Sequence, residues 1–189
     1  MRTHTSRLAL LAVLLPLFTG GCGYNTLQTL DEQVNKAEAD IQTQLQRRAD
    51  LVPNLVATVK GVAAQESTIY VGVAEARSRL TGAIQGGNIE EMAAANSAMG
   101  GALTRLLAVA EAYPELKSNE NFTRLQDELA GTENRVATAR RDYNGAVEQF
   151  NGKIRTFPTN LTAKLFGLGN AREYFEADAG ATEAPTVEF

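Results

Sequence analysis

Apolar residues recur at spacings of three and four along almost the whole chain, and no stretch alternates as a strand does. The first stripe opens with Leu27, Leu30, Val34, Ala37 and Ile41. It runs on from Leu45 through Val52, Leu55, Val59, Val62, Ile69, Val73 and Ala76 to Leu80. Between Leu45 and Leu80 every step is a sum of threes and fours, the register of a heptad seam. Arg48 and Glu66 occupy the two seam positions that are not apolar. Pro53 sits inside the seam, where it lacks an N–H and its ring crowds the carbonyl of Ala49. Because the register survives Pro53, the pattern predicts one long helix over about 27–82, kinked at the proline.

Thr81 to Gly87 contains three glycines and ends that helix. Asn88, with Glu91 three residues on, has the form of an N-cap and its capping-box partner. The helix it starts carries Met92, Ala95, Met99, Leu103, Leu106 and Ala110 on one face and stops at Tyr113-Pro114. Gly100-Gly101 weakens it by about 1 kcal/mol per glycine unless something packs closely there. A third helix, capped by Ser118 or Asn119, has a stripe from Phe122 through Leu129, Val136, Tyr143, Val147 and Ile154 to Phe157, and Pro158 stops it. Residues 161–166 are expected to add a turn or two of helix, and 171–177 a last short one. The pattern thus predicts an all-α protein, an elongated antiparallel bundle of long helices with a kinked first helix.

The N-terminus reads as an address. Arg2 and Arg7 precede an unbroken apolar run from Leu8 to Phe18. That run is short for a membrane span, which needs about 20 apolar residues, and right for a signal-peptide core. It ends in Thr19-Gly20-Gly21-Cys22, which resembles a bacterial lipobox, with cleavage before the Cys and acylation of its thiol. Cys22 is the only Cys of the chain. A thioether there removes a free thiol that an oxidising compartment would attack, and several acyl chains on one residue anchor stably where one does not. The expected organisation is a signal peptide over 1–21, a lipid anchor and tether over 22–26, a helical bundle over 27–177 and an acidic flexible tail over 178–189. Gly23, rather than Asp, after the Cys points to an outer membrane, with the protein facing the periplasm of a Gram-negative host.

Composition narrows the chemistry further. The chain has 189 residues, 18 basic and 22 acidic, for a net charge of −4. Removing residues 1–21 takes away Arg2 and Arg7 and no acid, which leaves 16 basic residues and a net charge of −6. Such a balance argues against nucleic-acid binding and against electrostatic adhesion to anionic lipid. The single His is His4. A chain cleaved before Cys22 therefore has no histidine for acid–base chemistry, for a Cys/His zinc site or for a Glu-x-x-His metal centre. No metal, no cofactor and no catalytic residue is expected.

Residues 44–66, QLQRRADLVPNLVATVKGVAAQE, resemble the signature of the LemA family. The resemblance continues at EAYPELK, residues 111–117, through residues 122–158, and at the terminal Pro-Thr-Val-Glu-Phe. It implies a membrane-attached antiparallel bundle of the four-helix type with no established catalysis, one branch being linked to magnetosome membrane formation. Three positions depart from the family pattern: Glu38 where an aromatic is usual, Val62 where Tyr is common, and Gln65 where His often precedes the Glu. On this basis the protein is expected to be a non-enzymatic envelope lipoprotein, a scaffold or adaptor for an unidentified envelope protein. The alternative is a membrane organiser that self-associates on the bilayer.

Two groups of residues are singled out. Arg47, Arg48, Asp50, Pro53 and Asn54 form a candidate partner-binding site beside the proline. Within that group Arg48 also reads as a buried charge that pairs with Asp50, Glu128 or Glu133 and fixes helix register. Glu66, Glu133, Asn144 and Asn151 are candidates for polar groups in the core. Asn144 and Asn151 follow Tyr143 and Phe150, two turns apart on one helix face.

Overall fold

A computed structural model describes residues 2–176, with side chains from Gly23 onward. The Cys22 thiol and residues 177–189, which include the tail expected over 178–189, lie outside the described residues. Every regular element among them is helical: α1 (Arg2–Lys60), α2 (Ser67–Gly86), α3 (Ile89–Glu111), α4 (Pro114–Lys117), α5 (Glu120–Arg155) and α6 (Thr159–Leu165). None of the helices among the described residues is long and apolar enough to cross a membrane. The chain divides into two compact units. One comprises the residues through Glu38 together with Tyr143–Glu173, and the other Ala39–Asp142 together with the residues from Tyr174 onward.

The larger unit contains the later part of α1, all of α2, α3 and α4, and α5 as far as Asp142. On α1 the stripe positions Ile41, Leu45, Arg48, Val52, Leu55 and Val59 are buried as predicted, and Ala49 is buried beside them. Leu80 of α2, Met92 and Leu106 of α3 and Leu116 of α4 are also fully buried. Each such side chain contributes about 1.5–3 kcal/mol through apolar area removed from water. The α2–α3 connection is two residues long, so these mutually packed helices run antiparallel. Gly87 (φ +67°) caps α2 in the left-handed region, where other residues are strained. Asn88 then caps α3 by accepting the Glu91 N–H at 3.0 Å, as its sequence predicts. Asn119, rather than Ser118, caps α5: its Oδ1 accepts the N–H groups of Asn121 and Phe122.

The helix expected over 27–82 is in fact two helices. α1 runs uninterrupted through Pro53 and stops at Lys60, and the chain turns over residues 61–66 before α2 begins. Gly61 follows the last residue of α1, and the buried Tyr70 hydroxyl donates to the turn at Ala63 O, 2.6 Å. The seam spacing hid this break because Val73, Ala76 and Leu80 are buried in α2 at the same intervals a continuous helix would give. Glu66 accordingly lies in no seam; it is the half-buried residue just before α2.

The smaller unit holds the first part of α1, the end of α5, α6 and the segment after it. Its core includes Leu27 and Val34 of α1 and Tyr143, Val147, Phe150 and Ile154 of α5. α6 buries Thr159, Thr162 and Ala163. Phe157 was expected to close the α5 stripe; α5 ends two residues earlier, and Phe157 is 79% exposed. Residues 171–176 form no helix. Side chains of α5 hold that segment instead. The Asn151 amide donates to Arg172 O (2.9 Å) and accepts from Arg172 N (2.8 Å), and the Tyr143 hydroxyl donates to Glu173 O (2.9 Å). Arg172 in turn reaches Asp31 (2.8 Å) and Asn35 (3.2 Å) on α1. Burial, with Glu38 and Glu173 adding to it and Arg172 opposing, pushes the Tyr143 hydroxyl up to about 12, so it stays a donor over the ordinary pH range.

Candidate functional site

Arg48 sits on the buried side of α1 with 7% of its side chain exposed. Burying a guanidinium is tolerable only with partners, and two helices supply them. Nη2 pairs with Glu133 of α5 at 2.6 Å, and Nη1 donates to Asn96 Oδ1 of α3 at 2.6 Å. Of the three acids the sequence offers, Glu133 is therefore the one used, and its side chain is half exposed to water. Arg48 Nε is buried without a partner. Desolvation lowers the Arg48 pKa from its ordinary value and the Glu133 charge raises it.

Gly100, four residues after Asn96 and so on the same face of α3, lies against this arrangement. A Cβ there would lie 3.7 Å from Arg48 Nη2. Close approach at Gly100 thus comes from a side chain. Gly101 has nothing within 4 Å of its Cβ position and lines an open cleft of about 540 Å³. Arg48, Asn96, Thr104, Glu133 and Phe175 also line that cleft.

The residues grouped with Arg48 in the sequence do not share its surroundings. Successive helix residues are rotated by about 100°, so Arg47 faces away from Arg48. Arg47, Asp50, Pro53 and Asn54 are all exposed on α1. Gln46 donates to Asp50 at 2.8 Å. Gln46, Arg47, Asp50 and Leu51, with Ile84 of α2, border a shallow open groove of about 660 Å³. The five-residue motif therefore divides into one inward residue, Arg48, and an outward polar face.

Pro53 has its own explanation. Without an N–H at residue 53, Ala49 O loses its helical donor. Arg77 of α2 replaces that donor, its Nε lying 2.9 Å from Ala49 O. α1 therefore passes through the proline without interruption, and the vacated carbonyl ties α1 to α2. Arg77→Ala is expected to cost about 1–2 kcal/mol in the natural chain. In a Pro53→Ala background, where residue 53 again supplies a helical N–H, the same change should cost clearly less. A double-mutant cycle by urea denaturation measures the difference, and equal costs in both backgrounds would contradict the assignment.

Of the expected polar core groups, Asn151 is buried and Asn144 half-buried, while Glu133 lies at the edge of the core and Glu66 at a helix start. Asn96, Arg77 and Arg172 were not foreseen. For Asn96 a local signal existed, since it stands one turn before Gly100 on the buried side of α3. For Arg77 and Arg172 the partners are distant in sequence, and no local spacing marks them.

Among the described residues no group of three or more His, Cys, Asp or Glu side chains converges as a metal site would require. Fold and site together define a class of protein: a helical bundle tied by an ion pair whose arginine is buried, with a polar face of its first helix open to solvent. The chain belongs to the LemA family, whose model matches residues 37–189. It is 29% identical over 188 residues to Magnetosome protein MamQ 2 of Paramagnetospirillum magneticum, a match covering 87% of this chain and 69% of that protein. Magnetosome protein MamQ of Magnetospirillum gryphiswaldense is 26% identical with the same coverage. Protein LemA of Metamycoplasma hominis is 24% identical over 165 residues, covering 87% of this chain and 74% of that protein.

Proposed function

We propose that this chain is a non-enzymatic, lipid-anchored protein of the bacterial envelope that acts as a scaffold or adaptor. Acylated Cys22 would hold it on the membrane, and the outer membrane is favoured by Gly23. The observation that carries the adaptor reading is the division of the α1 motif. Arg48 is committed to holding α1, α3 and α5 together. Arg47, Asp50, Pro53 and Asn54 are exposed, the first two bordering a groove, and elongated partners dock on faces of this kind. The relatives named as magnetosome proteins favour a second reading, organisation of a bilayer by self-association.

In-cell photo-crosslinking separates the two. A photoreactive residue at Gln46, with a control at exposed Thr138 of α5, should trap one heterologous protein at Gln46 and not at Thr138. Adding Arg47→Glu should remove that product while leaving the melting temperature unchanged, as expected of an exposed charge. Self-crosslinks alone would favour the membrane-organising reading and return the exposed motif to a structural role.

A further inference from the structure

Four of the six large apolar side chains that stand well exposed among the described residues fall within ten positions, 157–166. They are Phe157 (79%), Leu161 (60%), Leu165 (80%) and Phe166 (55%). Leu161 and Leu165 are one turn apart on α6, whose opposite side buries Thr159, Thr162 and Ala163. An apolar cluster of this density on an otherwise polar surface marks an interaction site.

Two observations identify its occupant. The first is position. A Cβ on Gly23 would lie 3.3 Å from the Thr159 side chain, and the rings of Tyr24 and Phe166 are 4.6 Å apart. α6 therefore lies against the point where the chain follows directly on Cys22 and the apolar run Leu8–Phe18. Cleavage and acylation at Cys22, or retention of the run as an anchor, would each bring a bilayer to this end of the smaller unit. The second is charge. From Gln149 to Arg172 the sequence contains Lys153, Arg155, Lys164 and Arg172 and no Asp or Glu, in a chain of net charge −4. Arg172 is paired with Asp31, while Arg155 is exposed just before the apolar cluster and Lys164 is exposed within it. Apolar side chains bordered by basic ones match the boundary between acyl chains and anionic headgroups.

We infer that α6 and its flanks, Phe157 to Phe166, form a membrane-contacting surface that inserts into the headgroup region of an anionic bilayer. This inference rests on the membrane attachment proposed above. It revises the expectation that an acidic protein has no surface for anionic lipid, because the charge is segregated. With both an anchor and an inserted apolar patch, the smaller unit would be held against the bilayer at two points.

The chain contains no Trp, so one can be introduced as a sole reporter. Full-length Leu165→Trp and, as a control in the larger unit, Val71→Trp are reconstituted into vesicles of phosphatidylcholine and phosphatidylglycerol. Flotation is scored first, and quenching by lipids brominated on the upper acyl chain second. The expected result is that both variants float and that Leu165→Trp loses about half or more of its emission, for a group buried about 5–10 Å into the interface, while Val71→Trp is unaffected. Adding Arg155→Glu and Lys164→Glu should reduce the quenching. Flotation without quenching of Leu165→Trp would overturn the surface and leave the attachment standing; failure to float would overturn both. A blue shift of Leu165→Trp that grows with protein concentration, without quenching by brominated lipid, would overturn the inference by assigning the patch to a second copy of the chain.

Discussion

Replacing Glu133 with Ala is expected to lower folding stability by about 3 kcal/mol, more than replacing Arg48 itself with Met. The two ends of this ion pair sit in different surroundings. Arg48 has 7% of its side chain exposed and Glu133 has 53%. Without Glu133 the guanidinium stays buried and charged, with Asn96 as its one remaining partner and Nε already unpaired. Without Arg48, Glu133 rehydrates, and a Met at position 48 keeps apolar volume among Leu45, Ala49 and Val52. Arg48→Met should therefore cost about 1 kcal/mol or less. In the double variant, Glu133→Ala should cost almost nothing further. Urea denaturation of the four proteins gives these values directly. Equal costs for the two single changes would mean that the pair is a surface contact.

The second large effect is expected at Asn151. Asn151→Leu preserves bulk and removes both hydrogen bonds to the Arg172 backbone. The freed N–H and C=O lose their partners beside a residue that is only 5% exposed, at a cost of about 2–3 kcal/mol. Residues 171–176 have no helix of their own to hold them, so their attachment should loosen as well. Trypsin should then cut after Arg172 at a concentration that leaves the natural protein intact. Asn151→Asp keeps an acceptor for the Arg172 N–H but no donor for its carbonyl, and should fall between the two. Unchanged cleavage at Arg172 in Asn151→Leu would show that Tyr143 and the Arg172–Asp31 pair suffice.

The helices were legible where one rule governed a long stretch. The stripes of α1, α3 and α5 follow from apolar spacing, and the caps at Asn88 and Asn119 from side-chain chemistry. The break at 61–66 was not legible, because the register resumes in α2 as if α1 had continued. The passage of α1 through Pro53 was legible from the register, but what stabilises it was not. The proline's local cost is fixed by covalent geometry, yet Arg77, 24 residues later, supplies the missing donor. At the candidate site, the sequence marked Arg48 as a buried charge and narrowed its partner to three acids, which only the packing of α5 could resolve. Asn151 was read as a polar group in the core; its partner is an irregular segment that no periodicity describes. Net charge concealed the basic, apolar end of the smaller unit, because a sum carries no positions.

Attachment to a membrane at the N-terminus underlies both the adaptor reading and the α6 surface. The measurement that tests it most directly is metabolic labelling with an alkyne fatty acid, followed by intact mass, on the natural chain and on Cys22→Ser. The account predicts that the natural protein carries the label and has lost residues 1–21. Cys22→Ser should be unlabelled and retain the mass of the full chain. An unlabelled natural protein, or a Cys22→Ser variant labelled as well as the natural one, would contradict it.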